Sequence, residues 1–209
     1  MKKILVLQIT LFVVFSVALV GLFVKTDVYN DVQRKIVEEL CLSCVKLEPD
    51  TKIEYRFDTA NDNSHPNFVL ENLSFGPVII TYRIDFCPGC DKLEENLIEV
   101  LNISFDPYDV FYKRFLFEGE NITFIHINTN QVSEESDLYK SRMVYDTIGD
   151  RGNPMIVFVT YGYNHGFIDP SYATLYGLKE ENFQKRNLEL KNYISESITL
   201  YNTHQGAVD

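Results

Sequence analysis

Residues 77–90 read PVIITYRIDFCPGC and form the most informative segment of the chain. The run 78–82 consists of β-branched and aromatic residues, which is typical of a strand buried on both faces. The two cysteines follow within a few residues, and apolar side chains then recur at helical spacing through Leu101. This segment predicts a buried strand, a tight C-x-x-C turn and a helix that begins at the turn.

The positions of Cys87 and Cys90 suit thiol–disulfide exchange. At a helix N-terminus, unsatisfied N–H groups and the positive end of the helix dipole stabilise a thiolate. We therefore expect the pKa of Cys87 to lie below the free-thiol value of about 8.5 and Cys90 to stay protonated. Cys87 would attack a substrate disulfide, and Cys90 would resolve the mixed disulfide. This chemistry needs no cofactor and no metal.

The segment 77–90 resembles the active-site strand and turn of the thioredoxin superfamily. The D-F-C-P-G-C start and the K-L-E at 92–94 are most similar to the periplasmic thiol-reductase domain of bacterial transmembrane disulfide reductases. A second block, GNPMIVF at 152–158, resembles the cis-proline loop of that family. The resemblance implies that Pro154 is a cis-proline facing the disulfide and that Asn153 contacts the substrate. Phe86, directly before Cys87, is a further candidate substrate contact. It covers about residues 76–200.

The chain departs from the family pattern at three places. Thr81 stands where many thioredoxins carry a buried acid, and Phe86 replaces the usual tryptophan. The inner dipeptide of the turn is Pro-Gly rather than Gly-Pro. Without the buried acid, the proton acceptor for Cys90 is open between Asp85 and water.

Further elements extend this plan. The sequence predicts an α/β, thioredoxin-like fold, with a mixed central sheet flanked by helices. The segment 102–120 is aromatic-rich and has no assignment. The predicted strands are 52–58, 122–127, 155–160 and 167–168, and a hairpin turn at 161–166 joins the last two. The predicted helices are 66–70, 91–101, 134–145 and 179–201.

The N-terminus predicts a membrane span. Lys2 and Lys3 precede the uncharged run 4–24, which as a helix would be about 31 Å long and match a bilayer's hydrocarbon core. The lysines favour a single-pass protein with a cytoplasmic N-terminus and an extracytoplasmic body. A cleaved signal peptide is the alternative. Three N-x-S/T sequons, at Asn72, Asn102 and Asn121, fit an exported glycoprotein.

Three segments are predicted: an anchor or uncleaved signal (1–25), an N-terminal extension (26–75) and the thioredoxin-like domain (76–209). The extension carries Cys41 and Cys44 on an amphipathic helix predicted at 31–44. These cysteines form either a structural pair or a second redox pair that exchanges with Cys87–Cys90.

Composition limits the partners. The formal net charge is -11, and such a surface repels phosphate backbones, so nucleic acid is not an expected partner. The expected function is an extracytoplasmic thiol–disulfide oxidoreductase, a reductase or electron relay, with protein disulfides as substrates and a membrane or exported thiol as donor. The alternatives are a thioredoxin-like binding or chaperone module with structural disulfides, and an envelope protein stabilised by a four-cysteine zinc site.

Overall fold

The computed structural model describes residues 49–60, 63–149 and 152–205, and these residues form five strands and four helices. Apart from residues 165–167, these residues belong to one compact unit. In chain order the elements are α1 (Asn67–Leu73), β1 (Val78–Arg83), α2 (Pro88–Leu101), β2 (Phe111–Phe117), β3 (Glu120–Asn128), α3 (Asp137–Tyr145), β4 (Met155–Asn164), β5 (Phe167–Tyr176) and α4 (Phe183–His204).

The strands form a mixed sheet in the order β2-β3-β1-β4-β5. The central strand β1 runs parallel to β3 and antiparallel to β4, and β2 pairs with β3 in antiparallel fashion. In this register Thr81 lies opposite His126 on one side and Ile156 on the other. The predicted α/β fold with a mixed sheet flanked by helices is therefore confirmed.

Both faces of the sheet are covered because β1 sends alternate side chains to opposite sides. Ile79 packs with buried residues of α2 and α4 such as Leu97 and Ile194, whereas Ile80 packs with buried residues of α1 and α3. Each fully buried aliphatic side chain of this kind stabilises the fold by about 1.5–3 kcal/mol. The central strand is thereby held rigidly, which fixes the position of the turn at its carboxyl end.

Two expectations for individual elements require correction. The strand predicted at 52–58 is wrong, because only a single bridge forms there, between Arg56 and Tyr172. The unassigned segment 102–120 contains β2, and the short strand near 167–168 is the start of the longer β5. The predicted strands at 122–127 and 155–160 and the helix at 66–70 are confirmed, each with somewhat different ends.

Several expectations concern residues that the structure does not describe. The predicted membrane span at 4–24 and the helix carrying Cys41 and Cys44 lie outside the described residues. Within the described ranges, no helix is long and apolar enough to cross a membrane.

Candidate active site

The C-P-G-C turn lies at the carboxyl end of the central strand. β1 ends at Arg83, and α2 begins at Pro88 with Cys87 as its N-cap residue. The Cys87 sulfur accepts a hydrogen bond from the backbone N–H of Cys90 at 3.1 Å. Proline suits the first helical position because its missing N–H has no partner there in any case. The prediction that a helix begins at the turn is therefore confirmed.

Cys87 and Cys90 are joined by a disulfide, with their Cα atoms 5.2 Å apart. The two residues differ in exposure, since Cys87 is 8% exposed and Cys90 only 1%. Cys87 is therefore the more accessible of the two residues, and Cys90 is enclosed in the interior. This difference is what an outer attacking cysteine and an inner resolving cysteine require.

Pro154 packs directly against the turn. The Asn153–Pro154 peptide bond is cis, which confirms the sequence-based prediction. A Cβ atom added at Gly89 would lie 3.0 Å from Pro154 Cδ, so the proline ring occupies the space beside the turn. The position of the proline loop follows from the sheet, because Met155 pairs with Tyr82 on the neighbouring strand.

Phe86 stands in solvent immediately before the first cysteine. Its side chain is 97% exposed, and its φ of 55° places the backbone in the left-handed region. That conformation is unfavourable for a bulky non-glycine residue and is found mainly where function or packing imposes it. Ile84, two residues before it, is also exposed, and so is Tyr108, whose ring lies against Arg83.

A buried ion pair lies below the turn. The Arg83 side chain is only 1% exposed, and its guanidinium contacts a Glu94 carboxylate oxygen at 2.5 Å and Asp91 at 3.2 Å. The same guanidinium lies 4.5 Å from the centre of the Tyr108 ring, a distance typical of a cation–π contact. Glu94 is itself buried, and burial raises its pKa to about 7, an effect that Arg83 opposes and Asp91 reinforces.

His126 completes this buried group from β3. Its Nδ1 lies 2.8 Å from the hydroxyl of Thr81, and its Nε2 lies 2.9 Å from the Pro107 carbonyl oxygen. Burial is the main cause that lowers the pKa of His126 to about 4, so the ring is neutral at physiological pH. His126 Nε2 is 3.8 Å from the other carboxylate oxygen of Glu94, which is too long for a hydrogen bond.

A cleft of about 560 Å³ opens beside the disulfide turn and the proline loop. Gly89, Leu93 and Pro154 contribute to its lining, and charged side chains of both signs lie at the same cleft. This cleft is large enough to receive a short segment of an extended polypeptide. The charged residues that line it are Lys92, Glu180, Glu181 and Arg186.

The chain matches no family model, no curated protein and no solved structure. The functional assignment therefore depends on the chemistry of the residues that the fold brings together.

The residues predicted from the sequence fall into two groups. Cys87, Cys90 and Pro154 lie together, with Phe86 and Asn153 adjacent in sequence to members of that group. Cys41 and Cys44 lie outside the described residues, so their role stays a prediction. Among the described residues, no group of three or more histidines, cysteines or carboxylates could hold a metal ion.

Sequence reasoning missed the three polar residues beneath the turn. Arg83 ends an otherwise apolar strand, and Glu94 stands four residues after Cys90, one helical turn further along. A charged residue within an apolar pattern could have indicated a buried ion pair, because a buried charge needs a partner of opposite charge. His126 interrupts the apolar run of β3 in the same way.

Proposed function

We propose that this chain is a thiol–disulfide oxidoreductase of thioredoxin-like fold that acts on protein disulfides through Cys87 and Cys90. The observation that carries the proposal is the Cys87–Cys90 disulfide at the N-terminus of α2, with the Pro154 ring packed against the turn. A helix N-terminus stabilises a thiolate, and thiol–disulfide exchange opens and closes such a bond through a mixed disulfide. The mixed sheet with its flanking helices is compatible with the thioredoxin-like fold.

In the proposed reaction the reduced protein passes two electrons to its substrate. The Cys87 thiolate attacks one sulfur of the substrate disulfide, forms a mixed disulfide and releases the first substrate thiolate. Cys90 then attacks the Cys87 sulfur, which restores the internal disulfide and releases the second substrate thiolate. Both released thiolates take up protons, and an external thiol donor reduces the Cys87–Cys90 pair again.

The surroundings of the turn suggest how a protein substrate docks. Phe86, the residue before Cys87, presents an exposed ring, and Ile84 and Tyr108 add exposed apolar surface. Aromatic side chains of this kind contribute strongly to protein contacts because they bury a large area. Asn153, which precedes the proline, is the second proposed substrate contact, and the cleft beside Pro154 would hold the chain that follows the substrate cysteine.

The proposed location follows from the N-terminal residues. The uncharged run 4–24 would anchor the protein in the cell membrane, with the catalytic domain on the extracytoplasmic side. The partners would be exported proteins with disulfides and a membrane-bound or exported thiol donor. Disulfide exchange is a normal activity in such oxidising compartments.

Insulin reduction tests this proposal. The full-length protein in detergent, recycled by dithiothreitol, is expected to accelerate the reduction of insulin disulfides over dithiothreitol alone. The Cys87→Ser variant should lose this acceleration, because the attacking thiolate is absent. A wild-type rate equal to that of dithiothreitol alone, with the protein folded, would reject the oxidoreductase assignment.

A binding module with a static disulfide is the second candidate. It is favoured by one observation: the disulfide is largely buried, whereas the neighbouring Phe86 is almost fully exposed. A module of this kind would bind its partner equally well when Cys87 and Cys90 are both replaced by serine, and it would not reduce insulin. The four-cysteine zinc site would also require Cys41 and Cys44, so metal analysis of the reduced full-length protein tests it.

A further inference from the structure

Resolution of the mixed disulfide requires Cys90 to lose a proton in the interior. Cys90 is only 1% exposed, and burial disfavours a thiolate. Water from the bulk has little access to such a sulfur. A nearby group that can take the proton would therefore accelerate the step.

Glu94 is placed to be that group. It lies four residues after Cys90 on α2, so the two side chains share one face of the helix, with Cβ atoms about 5–6 Å apart. Helical side chains lean towards the N-terminus of their helix, which directs the Glu94 carboxyl back towards the turn that carries Cys90. Both residues are buried on that face.

The contacts of Glu94 leave one carboxylate oxygen available. Arg83 binds Oε2, whereas Oε1 lies 3.8 Å from His126 Nε2 and is too distant for a hydrogen bond. The Arg83 contact fixes the carboxyl group in place without occupying both oxygens. Oε1 can therefore receive a proton, directly or through one water molecule.

Other groups near the turn are less suited to this role. His126 uses both ring nitrogens: Nε2 must donate to the Pro107 carbonyl, which leaves Nδ1 to accept from Thr81. The Thr81 side chain is a hydroxyl, which is too weak a base to accept the proton near neutral pH. Asp85 accepts a hydrogen bond from Asn128 at 2.8 Å and precedes the cysteines rather than following Cys90 on the helix.

The charges around Glu94 come from several elements. Their effects on the protonation of the carboxyl oppose one another: burial and Asp91 favour the neutral form, whereas Arg83 favours the ionised form. From α4, Arg186 reaches α2 at Asn96 rather than at Glu94. Arg83 of β1, Asp91 of α2 and His126 of β3 surround Glu94. Asp106, in the segment between α2 and β2, acts on His126, and Tyr108 of the same segment contacts Arg83 through its ring.

We propose that Glu94 is the proton acceptor for Cys90 during resolution of the mixed disulfide and that Arg83 positions its carboxylate. This role rests on the proposed oxidoreductase function. The Cys90 thiol gives its proton to the Glu94 carboxylate, and the Cys90 thiolate attacks the Cys87 sulfur. The Cys87–Cys90 bond forms as the mixed disulfide breaks, and the substrate leaves as a thiolate. The proton then passes from Glu94 to the leaving thiolate or to water.

Single-turnover kinetics test this assignment. The reduced protein is mixed with a disulfide-bonded peptide, and release of the second peptide thiol is followed from pH 5.5 to 8.5. We expect Glu94→Gln to slow this release at pH 7 by at least about tenfold, towards the roughly 100- to 10,000-fold range of general-base effects. The rate of the variant should recover towards high pH, as hydroxide replaces the carboxylate. Glu94→Asp should restore part of the rate, because it retains a carboxylate.

The control is Glu95→Gln, which removes the same charge from the exposed neighbouring position. It should leave both the rate and the pH profile unchanged. Equal profiles for Glu94→Gln and Glu95→Gln would overturn the role of Glu94. If the wild-type protein formed no mixed disulfide at all, the proposed function itself would fail, and the two failures are thereby distinguished.

A measurement on the wild-type protein covers the case in which Glu94→Gln does not fold. Carbon-13 NMR of glutamate carboxyl groups can follow the titration of Glu94 in the disulfide and dithiol forms. We expect its pKa to differ between the two forms, because in the dithiol form its proton is coupled to Cys90. The same titration in both redox forms would overturn the assignment.

Discussion

Replacing Glu94 with glutamine should change how the stability of the disulfide form depends on pH. Burial raises the pKa of Glu94 from 4.5 to about 7. The protonated form therefore stabilises the fold fully below about pH 4.5, and this contribution is lost as the pH rises through 7. At about 1.4 kcal/mol per pKa unit, the whole contribution is about 3 kcal/mol, most of it lost between pH 5 and 8.

Urea unfolding with the disulfide intact measures this effect at pH 5, 6, 7 and 8. From pH 5 to pH 8, wild type should lose about 2–3 kcal/mol of unfolding free energy relative to Glu94→Gln. Glutamine keeps the shape of the side chain and cannot titrate, so it removes the linked proton. The unfolding free energy of Glu95→Gln, a change at an exposed position, should depend on pH as that of wild type does. Parallel curves for Glu94→Gln as well would refute the reasoning.

Three further changes have defined outcomes. Burial lowers the pKa of His126 to about 4, so wild type should lose about 3 kcal/mol of unfolding free energy as the pH falls from 6.5 through 4. In urea unfolding, His126→Gln should abolish this loss, and an unchanged dependence on pH in the acid range would contradict the prediction. Phe86→Gly should raise the KM for a protein disulfide, because an exposed aromatic contact is lost. It should also stabilise the fold by up to about 1 kcal/mol, because glycine adopts the left-handed backbone conformation without strain. A lower melting temperature together with an unchanged KM would contradict both expectations. Gly89→Ala should slow insulin reduction, because the new Cβ would lie 3.0 Å from Pro154 Cδ and the proline loop must shift; a wild-type rate would show that the loop yields freely.

The sequence predicted best where local and long-range signals coincide. The apolar run of β1, the C-P-G-C turn and the periodicity of α2 all indicate one arrangement, and the structure has it. The edge strand β2 was missed because its apolar face is interrupted. Phe111, Phe115 and Phe117 pack against the core, but exposed Lys113 stands on the same face and the remaining residues of the strand are exposed. The alternation of apolar and polar residues at 52–58 wrongly predicted a strand. Ile53 and Tyr55 pack against the core there, but only Arg56 has a strand partner.

The buried polar residues of the candidate site depend on register, which single-sequence patterns do not give. His126 meets Thr81 because β1 and β3 pair in parallel with those two residues opposite each other. Arg83 reaches Glu94 only because the turn folds α2 back over the end of β1. The cysteines and Pro154 were predictable from motif and resemblance, whereas the ion pair beneath them required the assembled sheet.

The most direct test of the central claim is the capture of a substrate on Cys87. The reduced Cys90→Ser variant of the full-length protein is mixed with a peptide disulfide, and the product is mapped by mass spectrometry without reductant. The account predicts a stable mixed disulfide on Cys87, because the outer thiolate can attack and the resolving thiol is absent. A peptide attached only at Cys41 or Cys44, or no adduct on the folded protein, would contradict it.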